Sequence, residues 1–385
     1  MHILEIPSFF PPYGGWFCLD QAKALKALGH EVRILSNVQL GMSVGLRDFL
    51  MLPYRRFEHE LGGVTVCQSY QRGLPKAIHY NVDRWVSIVR SMFDDYAARY
   101  GRPQLLHAHC AKWAGYAAML IGRKYSIPYI ITEHLPLLLL EDEFGKAPSD
   151  AWQIPLLREA YETADRVIPV SEELVDDIAC YYGKDYRWQY VSNTIDTGFF
   201  HYQRREPKEG RAFRFCCLAD YYYRKGYDVL FEAMRQLQQS GVSIELHIAG
   251  LFTDSRACRT AIENLGLKDV TCYGRLDKKG VRDLLYRSDA LVLASRSEVQ
   301  PLVLLEAMST GIPVVSTECV PRCQRLSGCT IVPIGDAEAL ARAMRTVAEQ
   351  PQDQGIVFAE EVSRLASPDV VGRQLEAIFN EIVKS

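Results

Sequence analysis

The stretch DALVLASRSEVQPLVLLEAMSTGIPVVST, Asp289 to Thr317, decides the fold. Ala290 to Ser295 is a short apolar run bounded by polar residues, the pattern of a strand buried on both faces of a parallel sheet. Pro301 suits the first helical position, where a missing N–H goes unnoticed. Gly311-Ile312-Pro313 stops that helix and feeds a second apolar strand, Val314 to Ser316. Glu298 in the loop and Glu306 in the helix therefore place two carboxylates beyond a strand's carboxyl end, where open α/β sheets hold ligands.

Outward from this joint the second half keeps the same alternation. Strands are expected at Phe213 to Ala219, Ser243 to Gly250 and Val270 to Gly274, with helices at Tyr227 to Ser240 and Lys278 to Arg287. A last helix, Pro368 to Lys384, has Val370, Val371, Leu375, Ile378, Phe379 and Ile382 on one face. Lys225-Gly226 falls in the loop after the first of these strands, with Arg224 beside it. A lysine there is placed to neutralise a diphosphate as a point charge. As an isolated feature it is equally a solvated surface cation.

The first half opens strand, loop, helix, strand. His2 to Ile6 is followed by PSFFPPYGG, a helix from Trp16 to Leu28, and a strand from Glu31 to Ser36, which is a right-handed βαβ unit. Gly14-Gly15 lies at the helix start, where backbone amides can approach a ligand or simply make a turn. Leu40 to Arg99 is the least regular part. Strands return at Leu105 to Ala108, Tyr129 to Thr132, Arg166 to Val170 and Tyr190 to Asn193, with helices at Trp113 to Tyr125 and Trp152 to Thr163 and a third capped by Ser171. His109 and His134 each fall just past a strand's carboxyl end, as structural hydrogen-bonders or as parts of a site. Leu46 to Phe57 mixes apolar, aromatic and basic residues, and Leu135 to Leu140 places four consecutive leucines after His134. Each is either partly buried or a contact for an apolar or membrane-bound partner.

Composition narrows the classes. A chain of 385 residues is long for one core and implies about two to three domains. The net charge of -3, with no basic tail, gives no case for nucleic-acid binding. Eleven cysteines without a CxxC pair read as free thiols of a reducing compartment rather than a zinc site or a disulfide framework. No apolar run approaches the ~20 residues of a membrane span, and His2 to Ile6 reads as a strand rather than a signal peptide. A cytoplasmic protein, with peripheral contact to the inner face of the membrane, is the expectation.

With these residues in place the chain resembles the retaining glycosyltransferases of family 4, which have the GT-B fold. The carrying motif is the E-x7-E element, Glu298 and Glu306, followed by EAMSTGIPVV. PPYGG, ALKALGHEV, LLHAH, IPYIITEH, ADRVIPVSEEL, VSNTIDTGFF, RKGYDVLFEAM and LHIAG support it in order and spacing. The resemblance implies an α/β protein of two Rossmann-like domains facing across a cleft. Residues 1–200 form the acceptor side, joined by the C-terminal helix 368–385, and residues 211–367 form the donor side, with the linker at His201 to Gly210.

It also implies roles. Glu306 holds the donor ribose, Glu298 faces the donor sugar, and Lys225 with Arg224 binds the diphosphate. Gln300 and Leu302 lie in the amide loop and helix start beside the donor. Gly15 lets backbone amides approach it, and Gly14 with His109 serves the acceptor. His134 stands near the transferred sugar, so Glu298, His134 and Lys225 form the catalytic set. The co-substrate is a UDP- or GDP-linked sugar, and no metal is expected, since the sequence has no DxD and fixed cations and amides must absorb the leaving charge. The acceptor is a glycan or a lipid-linked sugar of a surface polysaccharide. A nucleotide-sugar epimerase of the same fold, or an inactive nucleotide-sugar-binding partner, are the alternatives. The chain departs from the family at three places. Ala219-Asp220 replaces a Gly-Arg pair, Val299-Gln300-Pro301 replaces Gly-Phe-Gly, and ECVPRCQR stands where a Gly-Gly-x-x-Glu segment is usual. Asp220 is expected to repel phosphate.

Overall fold

A computed structural model describes residues 1–12, 14–41, 46–51, 56–146, 151–204, 210–350 and 354–384. It divides into two compact units, Met1–Thr194 with Pro368–Ser385, and Ile195–Ser367.

The first unit runs β1 (His2–Pro7), α1 (Trp16–Ala27), β2 (Glu31–Leu40), α2 (Leu46–Met51), β3 (Arg56–Leu61), β4 (Val64–Arg72), α3 (Ile78–Tyr100), β5 (Leu105–His109), α4 (Tyr116–Tyr125), β6 (Tyr129–Glu133), α5 (Leu137–Phe144), α6 (Gln153–Glu162), β7 (Arg166–Pro169), and the short α7 (Glu173–Asp177) and α8 (Ala179–Tyr182). Its sheet has the order β3-β4-β2-β1-β5-β6-β7 and is parallel except for β3, which pairs antiparallel with β4. Strands β1, β5 and β6 are almost wholly buried, and most of their residues are apolar.

The stretch expected to be least regular is in fact a hairpin and a long helix. Gly62 and Gly63, both at positive φ, make the two-residue turn between β3 and β4. The edge strand β3 alternates exposed and half-buried residues, RFEHEL, so it carries no apolar run to announce it. Helix α3 buries Val82, Trp85, Val86, Val89, Met92, Phe93 and Tyr96 at helical spacing. Tyr190 to Asn193 forms no strand; only Trp188 bridges to Val167, and Gln189 N–H donates to Val167 O at 3.0 Å. Ser171 is buried and does not cap α7, whose N-cap is Glu172 without a side-chain bond.

The second unit runs β8 (Phe213–Leu218), α9 (Tyr227–Gln239), β9 (Ile244–Ala249), α10 (Arg256–Asn264), β10 (Val270–Cys272), α11 (Lys278–Arg287), β11 (Ala290–Leu293), α12 (Leu302–Ser309), β12 (Val314–Thr317), β13 (Cys329–Val332), α13 (Ala337–Glu349) and α14 (Gly355–Ala366). Its sheet is parallel with the order β10-β9-β8-β11-β12-β13. β13 was not expected, being only half-buried over most of its length. The division between the units also falls earlier than the expected linker. Ile195 N–H donates to Ala366 O at 2.7 Å and Phe200 sits in the second unit's core, so residues from 195 onward belong there. Residues 205–209 of that expected linker lie outside the described residues.

Helix α15 (Pro368–Lys384) closes the chain on the first unit, burying Val371, Gly372, Leu375, Ile378, Phe379 and Ile382. It crosses α1 closely: a Cβ on Gly372 would stand 3.1 Å from Leu28 and 3.3 Å from the Ala24 carbonyl. Apart from the edge strand β3, both sheets share one winding, in which the strand order reverses between β1 and β5 and again between β8 and β11. Those two reversals are the topological switch points, the places where parallel α/β sheets receive ligands.

Candidate active site

In the second unit, the loops after β8 and β11 are locked together at the switch point. Gly226 has φ +67°, and a Cβ there would stand 1.9 Å from the Ala294 carbonyl, so only glycine lets the turn lie against the end of β11. Arg296 completes the lock. Its backbone N–H donates to Arg224 O at 2.7 Å, and its guanidinium reaches Tyr223 O at 2.7 Å and both Asp228 oxygens at 2.8 and 2.6 Å. The same guanidinium lies 4.1 Å over the Tyr223 ring. The bond from Arg296 holds the Asp228 carboxyl below its usual range.

Lys225 and Glu298 meet as a result. The Lys225 ammonium pairs with Glu298 Oε1, which also accepts from Ser295 Oγ at 2.7 Å. The two side chains are only 14% and 8% exposed, so the charges depend on each other in the ligand-free protein. Glu306 lies on the second turn of α12 and is half-buried. Pro301 is the N-cap rather than the first helical residue, and Leu302, half-buried, begins the helix. Gln300 is buried, and Arg224 is half-buried with its carbonyl committed to Arg296. Asp220 Oδ1 accepts the Leu251 N–H at 2.8 Å and so ties the ends of β8 and β9, a structural duty beside the repulsion of phosphate expected of this residue.

The first unit's switch point is built from different chemistry. Gly15, at φ +72°, opens α1 where a Cβ would stand 1.9 Å from the Phe9 carbonyl. Gly14, also at positive φ, faces open space. The parallel register pairs Glu5 with His107 and Pro7 with His109, and since alternate residues share a face, Glu5, His107 and His109 meet. All three are fully buried. Glu5 Oε2 accepts from His109 Nε2 at 2.8 Å and lies 2.9 Å from His107 Nδ1, which is out of line for a hydrogen bond. His109 Nδ1 meets His134 Nε2 at 3.2 Å, and Phe17 stacks on the His134 ring at 3.7 Å. His109, expected on the acceptor side, has no exposed surface, and its Nδ1 meets His134 rather than solvent.

Burial pushes the Glu5 carboxyl up, but the His107 charge and the histidine contacts outweigh it and bring it down to about 2. Burial, with His107 beside it, lowers His109 to about 4. His134 falls well below the usual histidine value through burial and the neighbouring His109 and His107. The turn that carries His134 is pinned by Glu133, whose Oε1 accepts from the N–H groups of His134 and Leu135, both at 2.9 Å. Glu133 Oε2 takes the Ala111 N–H at 3.0 Å and the Tyr161 hydroxyl at 2.7 Å. Beyond the ends of β1 and β2 lies a cavity of about 530 Å³, with Phe9, Gln39, Asn81, Trp85, Lys112, Trp113 and Glu143 among its walls.

Glu5, His107, Glu133, Arg296 and Asp228 were not singled out from the sequence. One signal was available: Glu5 is a lone carboxylate inside the strand HILEIP, and a charge in a fully buried strand is rarely without a partner.

A family model described as Glycosyltransferase Family 4 matches residues 14–199, and one described as Glycosyl transferases group 1 matches residues 212–350. The chain belongs to these glycosyltransferases. Among relatives, it is 27% identical over 343 residues to TuaC of Bacillus subtilis, named for teichuronic acid biosynthesis, covering 83% of this chain and 81% of that one. It is 32% identical over 174 residues to WcaL of Escherichia coli, named for colanic acid biosynthesis, covering 41% of this chain and 43% of that one. Among solved structures, sucrose-phosphate synthase from Thermosynechococcus elongatus superposes with a TM-score of 0.79 at 18% identity over 100% of both chains. HepE of Anabaena, in complex with UDP, gives 0.70 at 16% identity over 99% of this chain and 100% of that one. The GT-B glycosyltransferase fold is thus shared along the whole chain, and the protein is a glycosyltransferase.

Proposed function

We propose that the protein transfers a sugar, with retention of configuration, from a UDP- or GDP-linked donor to a glycan or lipid-linked acceptor of a surface polysaccharide. The observation that carries this reading is the Lys225–Glu298 pair, held at the second unit's switch point by the Arg296 lock. Departure of a nucleoside diphosphate builds negative charge on the leaving oxygen. Lys225 supplies a fixed cation for it, and one such preorganised group is commonly worth ~3–4 kcal/mol in the transition state. Glu298, once Lys225 turns to phosphate, is freed toward the donor sugar, and Glu306 takes the ribose hydroxyls. Lys225, Arg224 and the backbone amides around Gln300 and Leu302 do this without a metal ion. The departing phosphate takes the proton of the incoming acceptor hydroxyl, so no protein nucleophile is required. HepE is solved with UDP-glucose, and relatives are named for teichuronic acid, colanic acid and amylovoran biosynthesis, which supports donor type and product class alike.

The acceptor side follows from the first unit. Its cavity offers aromatic walls with the Gln39 amide beside them, a mixture suited to a sugar's apolar faces and hydroxyls. No helix among the described residues is long and apolar enough to cross a membrane. A peripheral contact is supported by Leu50 and Met51 on α2 and Leu138 and Leu139 on α5, all exposed. Of the Leu46 to Phe57 stretch, residues 52–55 lie outside the described residues.

The test is a panel of UDP-, GDP- and dTDP-sugars, with and without a chelator, followed by Glu306→Ala and Lys225→Ala. Transfer that survives the chelator and collapses in both variants is expected. Undiminished activity in the variants would sink the residue assignment, and loss with the chelator would sink the metal-free one. Flotation with anionic liposomes at low salt tests the membrane contact, and a protein that stays at the bottom of the gradient counts against it.

A further inference from the structure

Five side chains of the first unit stand in one line: Thr132, His107, Glu5, His109 and His134. Thr132 Oγ1 is 2.7 Å from His107 Nε2, and Glu5 Oε2 is 2.9 Å from His107 Nδ1 and 2.8 Å from His109 Nε2. His109 Nδ1 then lies 3.2 Å from His134 Nε2. Among the described residues, Glu5, His107 and His109 have ligand atoms clustered tightly enough to suggest a metal site. Their contacts are too short for one. Two ligands around a tetrahedral metal at 2.0–2.1 Å stand roughly 3.3 Å apart, whereas both nitrogens here sit at hydrogen-bonding distance from the same carboxylate oxygen.

The protons in this line are therefore ordered by the carboxylate. An ionised carboxylate only accepts, so the proton of His109 is on Nε2 and its Nδ1 is an acceptor. The contact at Nδ1 then requires a proton on His134 Nε2. That leaves His134 Nδ1 as a bare lone pair, and it is shielded from solvent with no hydrogen-bond partner among the described residues. A shielded acceptor without a donor is a valence that a ligand can fill. Phe17 covers a face of the ring, whereas the Nδ1 lone pair lies in its plane.

We propose that Glu5 is a positioning residue which, through His109, fixes His134 as the neutral Nε2–H tautomer, so that Nδ1 accepts a hydrogen bond from a hydroxyl of the transferred sugar. The role of the sugar rests on the reading above, while the tautomer does not. The arrangement follows the logic of a carboxylate that orients a histidine, with a second imidazole interposed. His107, bonded to Thr132 and beside the same carboxylate oxygen, steadies Glu5 from the other side.

Nitrogen-15 spectra of the imidazoles in the ligand-free protein test the tautomer directly. His134 is expected to show a protonated Nε2 and an unprotonated Nδ1, and Glu5→Gln, whose amide can donate as well as accept, is expected to mix the two tautomers. With UDP-glucose and GDP-mannose as donors, Glu5→Gln should lower kcat by about tenfold or more, with the donor KM changed by less than about threefold, and Glu5→Asp should recover part of the loss. A wild-type His134 protonated on Nδ1 overturns the proposal even if the variants do not fold. So does a Glu5→Gln enzyme with mixed tautomers and wild-type kcat. If neither donor is turned over by the wild type, the transfer reading fails on that donor set, and the spectra still decide the tautomer.

Discussion

The two units wind their parallel strands in the same order and place their key residues at the same switch point, yet they furnish it in opposite ways. The first unit buries a carboxylate and a line of histidines with no exposed surface at Glu5, His107 or His109. The second keeps a lysine–glutamate pair partly open, with loops held by an arginine whose Asp228 partner is 61% exposed. Burying charge is costly unless it is paired and hydrogen-bonded, so the first unit confines its anion to one carboxylate set against histidines. The second retains full charges because its ligand is expected to bring charge of its own. A shared topology thus fixes where chemistry happens, and the side chains decide whether it is done by orientation or by charge.

The comparison can be broken most sharply at Lys225. Lys225→Ala is expected to lower kcat about 10²–10³-fold in a donor-turnover assay, the usual cost of removing one preorganised charge stabiliser. An equally large loss from Lys225→Arg would show that shape at this loop matters as much as charge.

The next effect is on stability. Gly226→Ala must strike the Ala294 carbonyl at 1.9 Å while holding φ at +67°, whereas Gly14→Ala meets open space and carries only the strain of its positive φ. Urea unfolding should show the former destabilised by about 2–4 kcal/mol and the latter by about 1 kcal/mol. Similar losses would mean that the loop after β8 adapts.

Acid separates the units further. His109 sits near 4 when folded against an ordinary 6.5, so between those values the unfolded chain binds a proton that the native one refuses. Its stabilisation is present above about 6.5 and is lost as pH falls toward 4. His134 acts in the same sense. Glu5, depressed from 4.5 to about 2, contributes above 4.5 and is lost as pH falls through 2. In the second unit His247 is lowered, by burial. Hydrogen exchange corrected for intrinsic rates should therefore show β5 and β6 losing protection from pH 7 to 5 before β8 and β11 do.

The smallest effect expected is at the lock. Arg296→Lys loses the two-pronged bond to Asp228 and the bond to Tyr223 O, and should raise the donor KM by about three- to tenfold with little change in melting temperature. A fall in kcat at constant KM would instead place Arg296 in the chemistry.

The sequence by itself determined the alternation of strands and helices, because fully buried parallel strands are built largely of apolar residues, as in β11, ALVL. It also located Glu298, Glu306 and Lys225 at strand ends, since chain order and turn residues mark those ends. The edge strand β3 escaped notice because a strand open on one side has no apolar run to betray it. What only the tertiary structure decided are the contacts across strands distant in sequence. Glu5 finds His107 because β1 and β5 pair in one register and not the next, and a shift of one residue would turn Glu5 to the other face. Arg296 finds Asp228 because Gly226 lets one loop lie on another. Local periodicity reports which residues are buried; register and loop contact, set by the packing of the whole unit, report which of them meet.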